Sequence, residues 1–262
     1  YAELRALSEA YPAEAAVREQ RAKAAFNLVT VYGNAGRVDE ARGIYSELRT
    51  LSEAYPDEAA VREQRAKAAV NLVTAYGKAG RVEEAQRIYA ELRDLSDAYP
   101  GEAALRERRA GAAINLVTAY GNAGRVEEAQ ETYAVLRALS EAYPAEAAVR
   151  EQRAKAAFNL VTVYGNAGRV DEVRGIYSEL RTLSEAYPDE AAVREQRAKA
   201  AFNSTVFSAR AARINEGRSL CEELKSLAEA HPDDPIVQEC WARAIPLITD
   251  THHGFDDEAR HR

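Results

Sequence analysis

The chain has 262 residues, 47% hydrophobic and 29% charged with eight prolines, a composition that folds and is neither low-complexity nor membrane-like. A formal net charge of −7 and a pI near 5.4 argue against a general phosphate-binding surface, which needs a basic excess, and so nucleic acid is not an expected partner. No apolar run approaches the roughly 18 residues of a spanning helix, two cysteines cannot make a disulfide framework, and together these favour the cytoplasm.

In chain order, residues 1–10 (YAELRALSEA) match residues 45–54 with substitutions and read as the tail of a helix. Because Tyr1 is the counterpart of Tyr45, the chain opens in the middle of a repeated unit, as a fragment or a processed chain would. From Ala13 a stretch recurs every 44 residues, with joints at Tyr11-Pro12, Tyr55-Pro56, Tyr99-Pro100, Tyr143-Pro144, Tyr187-Pro188 and His231-Pro232. A period of this size means stacked units rather than one globular core. The whole of 1–262 is thus expected to be a single array. It comprises a partial unit at 1–12, near-identical units at 13–56, 57–100, 101–144 and 145–188, a degenerate unit at 189–232 and a degenerate partial unit at 233–262. Residues 1–71 and 133–203 differ only at Glu3/Val135, Ala41/Val173 and Val70/Phe202, and the match stops at Ser204.

Each unit reads as two helices. Between Glu58 and Tyr76, apolar Val61, Ala68, Leu72, Ala75 and Tyr76 form a stripe at helical spacing, while Glu63, Lys67, Asn71, Thr74 and Lys78 gather on another face. Gly80 is placed to take the left-handed conformation that ends a helix. The second helix starts near Val82 with Glu83 and Glu84 in its first turn, where the helix dipole favours acids. It turns Val82, Ala85, Tyr89, Leu92 and Leu95 inward and stops at Tyr99-Pro100, because proline disfavours an α conformation in the residue before it. About eleven substantial helices are expected in all.

On these residues each unit resembles a tetratricopeptide repeat. The pattern of Leu and Tyr on the first helix, Gly in the turn, then Ala and an aromatic on the second is held by Leu28, Tyr32, Gly36, Ala41 and Tyr45. It recurs at Leu72, Tyr76, Gly80, Ala85 and Tyr89, at Leu116, Tyr120, Gly124, Ala129 and Tyr133, and at Leu160, Tyr164, Gly168, Val173 and Tyr177. The early Trp of the family is Ala25 here, and the unit is ten residues longer. The resemblance implies an all-α, right-handed superhelix of antiparallel helix pairs, without a catalytic centre or cofactor, that acts as a protein-interaction scaffold.

The last third decays. Leu28, Tyr32, Gly36 and Ala41 become Ser204, Ser208, Ala212 and Gly217, which should weaken both the core and the turn, and Pro246 should kink or break the helix that contains it. His252, His253 and His261 with Asp256 and Asp257 offer ligand atoms, yet no CxxC or HExxH spacing accompanies them. A frayed end explains them as well, and no metal is expected. Cys221 stands where Tyr177 stands one unit earlier and reads as a small buried filler.

By the same resemblance, the concave side is lined by first-helix positions. These map to Lys23, Phe26, Asn27 and Thr30, then Lys67, Val70, Asn71 and Thr74, then Ile114, Asn115 and Thr118, then Lys155, Phe158, Asn159 and Thr162, and Lys199. In the family, Asn and Lys at such places hold a peptide backbone or a carboxylate, and an amide side chain supplies both donor and acceptor for this. Against that reading, Glu19, Glu63, Glu151 and Glu195 precede the lysines by four residues, the spacing of an intrahelical pair. If the asparagines only bind partner, replacing them should leave stability nearly unchanged. Two alternatives stand beside the scaffold: the repeat region of a larger signalling protein, and a helical-repeat RNA binder. The short amino-terminal stub also leaves a Leu and Tyr stripe for a second copy to cover, as a homodimer.

Overall fold

A computed structural model describes residues 1–249. Among the described residues there are twelve α-helices and no strand: α1 (Ala2–Ala10), α2 (Ala15–Asn34), α3 (Val38–Ala54), α4 (Ala59–Lys78), α5 (Val82–Ala98), α6 (Ala103–Asn122), α7 (Val126–Ala142), α8 (Ala147–Asn166), α9 (Val170–Ala186), α10 (Ala191–Arg210), α11 (Ile214–Ala230) and α12 (Pro235–Thr249). From α2 to α11, every first helix of a unit has 20 residues and every second helix 17. The protein is therefore all-α. Among the described residues no helix is long and apolar enough to cross a membrane. The chain divides into two bodies, Tyr1–Ala123 and Gly124–Arg262.

In the first body, α2 and α3, then α4 and α5, form hairpins across short turns. Each first helix also touches the next first helix, and each second helix touches the following first helix. The backbones of α3 and α5 do not approach one another, so the side chains of α4 must seal the gap between them. Leu72 (0% exposed) and Tyr76 (2%) do so. This packing explains why the two helix types read differently. The first helices bury small residues on more than one side, as with Ala66, Ala68, Ala69 and Ala75 of α4, and the second helices bury one stripe, Val82, Ala85, Ile88, Leu92 and Leu95 of α5.

The turns follow the glycine expectation. Gly36 and Gly80 have φ of 72° and 71°, and the Arg37 and Arg81 amides donate to the Tyr32 and Tyr76 carbonyls at 2.9 Å, closing the helix end as a Schellman motif does. The earlier glycine of each turn serves another purpose. A Cβ on Gly33 would lie 3.2 Å from Ala75 Cβ, and one on Gly77 3.0 Å from Ala119 Cβ, so glycine there lets neighbouring first helices approach closely.

A buried arginine locks each of the two joints of the first body, at Tyr55-Pro56 and Tyr99-Pro100, which the reading of the sequence missed. Arg18 stacks over the Tyr55 ring at 4.0 Å, pairs with Glu58 and donates to the Pro12 carbonyl. Arg62 does the same with Tyr99 at 4.0 Å, Glu102 and the Pro56 carbonyl. Only 6% and 5% of these arginines is exposed. At the open side of the first body, Leu28 and Tyr32 are only half-buried and Val31 is 61% exposed.

The second body repeats the scheme from α7 to α12. Arg150 stacks on Tyr187 at 3.9 Å, pairs with Glu190 and donates to the Pro144 carbonyl. At the final joint Arg194 meets Asp234 at 3.1 Å. Asp234 also caps α12 by accepting from the Ile236 and Val237 amides, and Pro235 occupies the first helical position, where a missing N–H costs nothing.

The decaying units keep their helical form. The fifth-unit turn is intact: Ala212 takes φ of 57° in place of glycine, and the Arg213 amide still donates to the Ser208 carbonyl at 2.9 Å. Pro246 does not break the helix that contains it: α12 continues to Thr249, with the proline at the start of its last turn. Cys221 is fully buried, and Cys240 is also buried. Burial pushes both thiols up, away from the reactive thiolate. His252, His253, His261, Asp256 and Asp257, with the weak repeat echo from Gly254 to Arg260, lie outside the described residues.

Candidate functional site

In the first body the predicted positions form a continuous polar strip across the first helices. Thr30, Thr74 and Thr118 each donate the hydroxyl proton to the carbonyl four residues back, on Phe26, Val70 and Ile114, at 3.0 Å. Asn71 then donates from Nδ2 to Thr30 Oγ1, and Asn115 to Thr74 Oγ1, each at 2.8 Å. The chemistry sets the orientation of the amides. A threonine hydroxyl has one proton, and it is spent on a carbonyl, so Thr30 and Thr74 can only accept from the asparagines. The nitrogen side of each amide must face the threonine, and its Oδ1 points away as an acceptor. Asn71 and Asn115 thereby also tie neighbouring repeats together.

Between these ties lie repeated clefts. One of about 260 Å³ includes Thr30, Asn34, Asn71 and Lys78 on its rim and Gly33 with Ala75 at its base. The next, of about 250 Å³, has Thr74, Lys78, Asn115 and Asn122 around Gly77 and Ala119. The glycine that allows close helix approach thus also lowers the cleft floor.

The lysines of this face are engaged along their own helices. Lys23 meets Glu19 at 2.6 Å and Lys67 meets Glu63 at 2.8 Å. These are exposed pairs of the kind worth a few tenths of a kcal/mol, so they break readily when a carboxylate ligand competes. Asn27, in the first full unit, is exposed. Phe26, Val70 and Ile114 are half-buried beside the strip.

The second body carries the same elements. Lys155 meets Glu151 at 2.5 Å and Lys199 meets Glu195 at 3.8 Å. Thr162 donates to the Phe158 carbonyl at 3.2 Å, and Asn203 donates to Thr162 Oγ1 at 3.1 Å. Asn159 is half-buried. Phe202 lies under Arg243 of α12, at 4.5 Å from its ring, so this aromatic packs against the next first helix. The ladder of threonines ends here, because Val206 stands where the earlier units have threonine.

The reading of the sequence found the asparagines and lysines but not the threonine as the asparagine's acceptor. The 41-residue spacing from Thr30 to Asn71 and from Thr74 to Asn115 was visible. Only the helix-to-helix register shows that this spacing means contact. Among the described residues no cluster of three or more His, Cys, Asp or Glu is arranged to hold a metal ion.

Comparison with known families matches two kinds of repeat. A PPR repeat model matches residues 27–52, 70–96 and 159–184, and a tetratricopeptide repeat model matches residues 110–134. Each match covers the later half of a first helix, the turn and part of the second helix. No curated protein matches the chain.

Proposed function

Taking the chain as a tetratricopeptide-like helical-repeat protein, we propose that it is a non-catalytic scaffold that holds an extended peptide segment against the polar strip of its first helices. Both matched repeat types belong to helical scaffolds that bind protein or RNA, and repeats of these families are typically non-catalytic. The observation that carries the peptide reading is the locked amide of Asn71 and Asn115. With one N–H committed to threonine, each asparagine presents Oδ1 and a second N–H in a set orientation. That is the complement of one peptide group, and orientation fixed in advance lowers the entropy lost on binding. The clefts beside the amides receive side chains, and the lysines attract acidic ones.

The test is selection of binding peptides from a random library, followed by calorimetry on asparagine variants. Asn27→Ala should weaken the selected peptide with no change in stability, since Asn27 is exposed. Asn71→Ala and Asn115→Ala should weaken it and also lower stability, by about 1 kcal/mol each, the net value of one hydrogen bond. Full affinity in a folded protein lacking Asn27, Asn71, Asn115 and Asn159 would overturn the reading.

The PPR repeat matches favour RNA as a second reading. The net charge of −7 and lysines already paired with glutamates speak against it, because phosphate binding draws on unpaired basic charge. A gel shift with RNA oligonucleotides decides between them: binding that weakens steeply as salt rises would replace the peptide reading.

A further inference from the structure

The fifth repeat has lost two core side chains without losing the space they fill. In the second body the backbones of α9 and α11 stay apart, as those of α3 and α5 do in the first; charged side chains of the two meet across the gap, and its buried part is left to the side chains of the first helix between them. In α4 these are Leu72 and Tyr76; in α10 they are Ser204 and Ser208, equally buried at 1% and 2% exposure. The surrounding frame has not collapsed to compensate. Both α10 and α11 keep the lengths of the regular repeats, and the turn keeps its hydrogen bonds. The one large residue gained, Phe207, faces away, packed where a Cβ on Gly165 would sit. What remains is a cavity of about 440 Å³ floored by Ser204 and Ser208, within the size range of small-molecule sites.

The charges that surround the tyrosine elsewhere are retained. In the first body the Tyr76 ring lies under Arg81 at 4.9 Å, and after burial the groups acting on its hydroxyl are Arg81, Arg42, Asp39 and Glu84. Their counterparts 132 residues on are Arg213, Arg174, Asp171 and Glu216. Asp171, Arg174 and Glu216 line the cavity, with Arg213 held on Asp171 and Arg174 near Glu216 at 3.6 Å. At its base, Ser204 Oγ is buried with no hydrogen-bond partner, an unusual cost unless an occupant supplies one. Val170, Val173 and Leu220 make apolar wall.

We propose that this cavity between α9, α10 and α11 binds a phenol that enters hydroxyl first: the ring fills the place of the missing side chains, and the hydroxyl bonds Ser204 at the base, opposite in sense to the tyrosine hydroxyl of the other repeats, which lies among the charges. The phenol comes either as a free small molecule or as a tyrosine side chain of a bound chain. The site lies on the second-helix side, separate from the asparagine strip, and does not depend on the peptide reading.

The experiment uses the full chain and p-cresol, the tyrosine side chain itself, by calorimetry and thermal shift. Saturable binding with a raised Tm is expected. Ser208→Tyr and Ser204→Leu, which restore the residues of the other repeats, should each abolish it while circular dichroism shows helix content retained. Toluene, which lacks the hydroxyl, should bind about tenfold more weakly, the value of one buried hydrogen bond. N-acetyltyrosine amide separates the two sources: competition with p-cresol supports a side chain of a bound chain, and failure to compete alongside p-cresol binding supports a free phenol. Absence of saturable p-cresol binding, undiminished binding to both refilled variants, or equal affinity for toluene would each overturn the proposal.

Discussion

Ala212 is the sharpest test of how the repeat turn works, because it does a glycine's task. Gly36, Gly80, Gly124 and Gly168 take φ of 71° to 72° at this point of the turn, and Ala212 takes 57°. A left-handed conformation costs a residue with a Cβ roughly 1–2 kcal/mol. Glycine escapes that strain but gives up about 0.4–1 kcal/mol through the greater freedom of its unfolded chain. The difference puts Ala212→Gly at a gain of roughly 0.5–1 kcal/mol. The neighbouring Ala211 has φ of −87° and ψ of 9°, which alanine adopts freely, so Ala211→Gly should lose about 0.5–1 kcal/mol. Gly168→Ala, the reverse experiment one repeat earlier, should lose a similar amount. Followed by circular dichroism during urea and thermal unfolding, the shifts amount to about 1–4 °C in Tm for a chain of this size, upward for Ala212→Gly and downward for the other two. If Ala212→Gly and Ala211→Gly move stability in the same direction, the conformational argument is wrong.

Two further perturbations probe the joints and the tyrosines. Arg62→Leu removes the stack on Tyr99, the bond to Pro56 and the pair with Glu102, and should cost about 2–3 kcal/mol in urea unfolding. Lys67→Ala, which loses only an exposed pair with Glu63, should cost at most about 0.5 kcal/mol, and equal losses would refute the clamp. Burial first, then the Glu91 carboxylate, pushes Tyr45 up to about 12, and burial with Glu179 does the same for Tyr133. A phenol whose pKa is raised on folding contributes stability that is whole below its unfolded value, near 10, and is lost as pH rises towards 12. Helix content should therefore fall over that window, and Tyr45→Phe with Tyr133→Phe should flatten the fall. A profile unchanged by the two substitutions would exclude them as the cause.

The sequence by itself determined the helices and their order. A 44-residue period with a Tyr-Pro joint, a glycine turn and stripes such as Val61, Ala68, Leu72 and Tyr76 encodes local structure, because helix ends and apolar spacing are short-range properties. It also named Asn71 and Asn115, since residues of one helix face share a spacing. Tertiary structure alone decided what those residues touch. That Asn71 spends an N–H on Thr30, and that Arg62 reaches Tyr99 and Glu102, depends on the register between neighbouring helices, which no single helix carries. The same holds at the fifth repeat. Ser204 and Ser208 read in the sequence as decay, but whether lost side chains leave a space or let the helices close depends on packing around them, and there α9 and α11 remain apart.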